Sequence, residues 1–173
     1  MALSDTLQAW VAYTQIFSSI SVGAGVLVAA ATIVYNVKTA KKSLTATFLY
    51  ESRFDKDYID GLRALMKVHN SGKSFRVFAY PTKDFPLTEE DLADRLKITY
   101  CLNFYERMAV SIHKGIYDCE MVKDVFHSSI VNNYATAEPF IKAIREIKRK
   151  DTYYQEFEKL ATAWKKKPLK IKR

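Results

Sequence analysis

The chain has 173 residues and a formal net charge of +8, from 27 Lys and Arg against 19 Asp and Glu. Two cysteines, Cys101 and Cys119, exclude a disulfide framework and offer no metal-ligand spacing. Both are expected to be small core residues that stay reduced.

The N-terminal third is the most informative part. No charged residue occurs between Asp5 and Lys38, an uncharged run of 32 residues. As a helix that run reaches roughly 48 Å, more than the hydrocarbon core of about 30 Å. Trp10, Tyr13 and Tyr35 suit the two membrane interfaces, and Lys38, Lys41 and Lys42 follow directly. The reading is a single-pass anchor over residues 1–45, spanning about residues 14–37. By the positive-inside rule the N-terminus lies outside and the remainder in the cytosol. No basic stretch precedes the apolar run, so a cleaved signal peptide is not expected. Along the span, Thr14, Ser18, Ser21, Gly25, Ala29 and Thr32 recur every three or four residues and share one helix face. Such a stripe lets backbones approach closely in lipid, with Ser18, Ser21, Gly25 and Ala29 at its centre, and the cheapest partner is another copy of the chain.

Residues 46–173 read as a helical bundle with its own core, which makes the fold class all-α. Helical propensity continues past Lys42 to about Asp55. A second helix fits D-Y-I-D-G-L-R-A-L-M-K-V-H and ends near Asn70 and Gly72. Residues 71–87 contain two prolines and read as a loop, with a short extended piece at Phe75–Ala79. Thr88 with Asp91 signals the start of a long helix reaching Gly115. Asp118 opens another to about Ser129; a separate one, with Pro139 in its first turn, runs from Thr136 through Arg149. Asp151 caps a last helix ending before Pro168. A basic tail, Lys165–Arg173, closes the chain.

Ile98, Leu102, Tyr105, Ala109, Ile112 and Ile116 form the inward stripe of the long helix, widened by Phe104 and Met108. The narrow polar strip left over is Asn103, Glu106, Arg107, His113 and Lys114. Two readings of its cations stand side by side. Arg107 pairs with an acid on a neighbouring helix, or the strip takes an anion, with guanidinium and ammonium on phosphate oxygens. A second basic surface follows Pro139: Ile141, Ile144 and Ile147 turn inward while Lys142, Arg145, Lys148 and Arg149 project outward. Such a face is either merely solvated or lies against anionic headgroups, and the same holds for the tail.

Nothing points to an enzyme. His69, His113 and His127 lie on separate elements, and no phosphate-binding glycine loop, zinc helix or nucleophile elbow occurs. No metal or cofactor is expected.

The segment L-N-F-Y-E-R-M-A-V-S-I-H-K-G-I-Y-D-C-E-M-V, followed by A-E-P-F-I-K-A-I-R and F-E-K-L-A-T-A-W, resembles an uncharacterised family of short bacterial membrane proteins. Those proteins join one N-terminal span to a helical cytosolic domain. By architecture the chain is also similar to small membrane effectors of type III CRISPR defence gated by cyclic oligoadenylate. That resemblance implies an inner-membrane antiviral effector, a homo-oligomer (a tetramer favoured) around a cyclic tetra-adenylate. Asn103, Arg107, His113, Lys114, Arg145 and Lys148 are then the candidate ligand residues, and lipid is the other partner. The alternative is a membrane-tethered interaction module without a small ligand, a phage-exclusion or scaffold protein. A DNA or RNA polymer is not the expected partner.

Overall fold

The computed structural model describes residues 4–83 and 86–169. Among them every regular element is a helix. The chain divides into two compact units, one up to Lys41 and one from Lys42 onward.

The first helix, α1, is Asp5–Glu51. In the first unit it carries Trp10, Phe17, Leu27, Val28 and Tyr35 exposed, and no part of its apolar window is buried. It is long and apolar enough to cross a membrane. A bare helix in water has no reason to display such a surface, whereas lipid accepts it and leaves every backbone group bonded within the segment. The polar members of the small-residue stripe are partly self-satisfied. Thr14 Oγ1 donates to the Trp10 carbonyl at 3.1 Å, and Thr32 Oγ1 to the Val28 carbonyl at 2.8 Å. Ser18, Ser21 and Ala29 are exposed, and a Cβ built on Gly25 meets nothing within 4 Å.

The second unit begins with the last turns of α1, where Thr45 is fully buried and Phe48 packs on the core. Asp55 caps α2 (Lys56–Asn70) by accepting from the Tyr58 amide at 2.9 Å. α2 packs along α4 (Glu89–His113), with Leu65 and Val68 joining Ile98 and Leu102 in the common core. Gly61 lets the two helices pack closely: a Cβ there would sit 2.5 Å from the Lys97 carbonyl oxygen. Lys67 ties the same pair, reaching Glu90 at 2.5 Å and the buried Asp94 at 2.7 Å. α4 starts at Thr88 and Asp91 as expected, and there the two form a capping box with both reciprocal bonds made.

Several expectations are corrected here. Phe75–Ala79 is a one-turn helix, α3, rather than an extended piece, because that turn drives Phe75 and Phe78 together into the core. The two helices expected on either side of residues 130–135 are one, α5 (Cys119–Lys148), with Pro139 inside it. A proline there forfeits one backbone bond and costs about 3 kcal/mol. Phe126, Ile130, Asn133, Ala137, Phe140 and Ile141 nevertheless form one unbroken buried face, which offsets that cost. Asp151 does not start the last helix. α6 is Gln155–Lys166, entered through a left-handed Tyr154 at φ 57°. Its first amides are taken instead by Glu106 of α4, whose carboxylate accepts from Glu156 N at 3.3 Å and Phe157 N at 2.8 Å.

The buried stripe of α4 holds from Ile98 to Ile112, but Ile116 lies beyond the helix end and is exposed. Cys101 is buried, and burial pushes its thiol up to about 12; Cys119 is exposed in the first turn of α5. On the later basic face, Ile141 is buried, Ile144 half-buried and Ile147 exposed. Arg145 turns inward rather than outward, its side chain engaged by the turn that precedes α6 and by α6 itself. Of the basic tail, residues 170–173 lie outside the described residues.

Candidate functional site

A cavity of about 670 Å³ opens in the second unit between the last turn of α1 and the middle of α4. Phe48, Tyr100, Phe104 and Tyr117 supply aromatic walls, with Phe48 stacked on Tyr117 at 4.6 Å and near Phe104 at 5.6 Å. Three carboxylates, Glu51, Asp55 and Glu106, line it against one cation, Arg107. Two of these acids already have structural duties. Asp55 caps α2 and also accepts from the Tyr100 hydroxyl at 3.1 Å, while Glu106 caps α6. Arg107 is exposed and sits over the Tyr100 ring, 5.8 Å from its centroid. None of the ion pairs among the described residues includes it. Its pairing with an acid of a neighbouring helix is therefore replaced by a cation–π contact.

Asn103 faces elsewhere. It shares a shallower cavity of about 300 Å³ with Glu106, Lys150, Thr152, Tyr153 and Tyr154. Tyr154 is buried and its hydroxyl is pushed up to about 12, by burial first and then by the nearby Glu106 carboxylate. Arg145 borders this region from behind. Its Nε donates to the Tyr153 carbonyl at 2.9 Å, and its Nη1 meets Glu158 Oε2 at 2.7 Å. Burial by itself would raise the Glu158 carboxyl, but the bonds from Arg145 and Tyr134 hold it below the usual carboxylate range. Arg145 thus holds the α5–α6 turn through Nε and Nη1, while its Nη2 is buried without a hydrogen-bond partner among the described residues.

The other candidate residues lie apart. His113 Nδ1 and Glu156 Oε2 are 2.5 Å apart, joining the end of α4 to the start of α6. Lys114 follows as the exposed C-cap of α4, and Lys148 is exposed in the last turn of α5. The six residues therefore occupy several separate places rather than one. Lys150, Tyr153 and Tyr154 are the neighbours of Asn103 that sequence reasoning passed over, and Tyr100, Tyr117, Glu51 and Asp55 those of Arg107. The left-handed Arg149 and Tyr154, which fold the α5–α6 turn back toward α4, left no glycine or proline signal in the sequence.

Residues 19–164 match the family model described as Domain of unknown function (DUF4760). The chain belongs to that family. No curated protein and no solved structure matches it. The family match does not tie the chain to CRISPR effectors.

Proposed function

We propose that this DUF4760 protein is a membrane-tethered interaction module: α1 anchors it in the bacterial inner membrane, and the helical bundle works from the cytosolic side by contact, without catalytic turnover. The observation that carries this reading is the contrast in burial along one chain. The apolar residues of α1 before Lys38 are exposed throughout, whereas the bundle closes a complete core without them. Lys38, Lys41 and Lys42 just past the apolar run support this orientation by the positive-inside rule. Protease added to intact spheroplasts should leave the bundle whole, and protease added to inverted membrane vesicles should digest it. The opposite pattern would reverse the topology.

A second reading is a cyclic-oligoadenylate-gated antiviral effector, oligomeric through the Ser18, Ser21, Gly25 and Ala29 face. The small cavity that Asn103 shares with Lys150, Tyr153 and Tyr154 favours it, since an amide, a cation and aromatic rings suit a base and its phosphate. Against it stand three carboxylates in the larger cavity and the engagement of Arg145 with Glu158. Melting of the full chain in detergent with cyclic tri-, tetra- and hexa-adenylate separates the two. At a hundredfold excess over Kd a ligand adds about 2.7 kcal/mol, several degrees in Tm, and no shift with any ring size removes this second reading.

A further inference from the structure

The bundle carries exposed cations near both ends of α5, and its topology distinguishes them. At the start of α5, the Asp118 amide donates to Thr45 Oγ1 at 2.7 Å, so this end lies against the turn of α1 that follows Lys42. Lys123, five residues into α5, donates through Nζ to the Lys167 carbonyl at 2.6 Å, and His127 lies 3.1 Å from the Trp164 carbonyl. These bonds bring the C-terminal end of α6, with exposed Lys165, Lys166 and Lys167, to the same end of the bundle. Lys114, the C-cap of α4, is there too, since only four positions separate it from Asp118. Lys148, Arg149 and Lys150 lie at the other end of α5, about 37 Å further along the helix from Lys123.

We infer that the end formed by Lys42, Lys114 and Lys165–Lys167 is a docking surface for anionic phospholipid headgroups. None of these five lysines has a carboxylate within ion-pair reach among the described residues, and neither has Lys148, Arg149 or Lys150, so the two ends differ in their closeness along the chain to the apolar run rather than in pairing. The acids of this end are Asp118, whose side chain caps α5, with Glu120 and Asp124 on the next turns. Exposed Leu44, Ile116 and Leu169 lie close to these lysines in the chain, and such a mixture of apolar and basic side chains settles at a headgroup boundary. Lys42 also follows Val37, the last residue of the apolar run, by only five positions. Each cation held near an anionic surface contributes about 1 kcal/mol, and the effect fades within a Debye length, so an end next to the bilayer gains and the far one does not. The inference rests on the anchored reading and adds to it a lipid class and an address on the bundle.

The test uses the full chain reconstituted into phosphatidylcholine liposomes, with or without about 30 mol % phosphatidylglycerol. Flotation first establishes anchoring, and lysine acetylation read by mass spectrometry then maps protection. We expect labelling of Lys165–Lys167 and Lys114 to fall about threefold or more with anionic lipid and recover in about 0.5 M salt, with Lys148 and Lys150 unchanged. The variant with Lys165→Glu, Lys166→Glu and Lys167→Glu should float equally well and lose the lipid dependence at Lys114. Equal protection at both ends, or none that depends on lipid charge, in protein that floats would overturn the docking surface alone. Protein that stays at the bottom of the gradient would overturn the anchoring and the docking surface together.

Discussion

Residues 5–37 and the bundle solve the same problem in opposite ways. Both are helical and both are rich in apolar side chains, but the bundle turns Leu65, Ile98, Leu102, Tyr105, Phe140 and Phe157 against one another, while α1 turns Phe17, Leu27 and Val28 outward. The difference lies in charge pattern rather than in helix content. Bundle helices alternate apolar and charged faces and so demand a partner in water. The uncharged run has no charged face to offer and suits lipid.

The largest effects that sharpen this contrast come from truncating equivalent leucines. Leu65→Ala, at a fully buried position, should cost the bundle about 2–5 kcal/mol in denaturant titration, whereas Leu27→Ala should leave its stability within about 0.5 kcal/mol. A similar cost for both would mean that the apolar part of α1 before Lys38 packs on the bundle. The glycines repeat the comparison. Gly61→Ala forces a Cβ onto the Lys97 backbone oxygen and should cost about 1–3 kcal/mol, while Gly25→Ala meets nothing and should leave the melting point where it was.

Tyr105→Phe tests the polar part of the core. The Tyr105 hydroxyl accepts from Asn133 Nδ2 at 2.7 Å and lies 3.0 Å from the Tyr58 hydroxyl, so its removal strands two buried groups and should cost about 1–3 kcal/mol. Tyr58 itself is pushed up to about 12, chiefly by burial.

The smallest effect is that of pH. Glu156 is held below the usual carboxylate range by Lys159 and then His113, and Asp91 by Lys73. Glu158, though burial works the other way, is held there by Arg145 and Tyr134. Carboxyls depressed in the folded state contribute stability that is full above their unfolded values and is lost as pH falls through the folded ones. The bundle should therefore soften as pH drops from about 5 toward 3, and Glu158→Gln should flatten part of that slope. The helicity of α1 should hold over the same range, since no charged residue lies between Asp5 and Lys38. A loss of α1 helicity in step with the bundle would argue that the two units unfold as one.

How much of this was legible in the sequence follows the range of the forces involved. The uncharged run, the helix start at Thr88 and Asp91 and the stripe of α4 from Ile98 to Ile112 are local signals, and each appears in the structure. The continuity of α5 was not legible, because Pro139 is a local breaker overruled by a buried face that only the folded bundle supplies. The start of α6 was missed for the same reason: its cap is Glu106, about 50 positions away. Arg145 read as an outward cation because its partners, Glu158 and the Tyr153 carbonyl, belong to a turn that helical periodicity cannot fold. The candidate site was the least legible part, since its residues come from several elements and no short motif binds them together.

Whether α1 holds the chain in a bilayer is decided by extracting membranes that carry the full chain. After washing with alkaline carbonate, which strips peripheral proteins, the chain should stay in the membrane pellet and leave it only with detergent. Release into the carbonate supernatant would show that the exposed apolar helix is covered by protein rather than lipid, and would contradict the account.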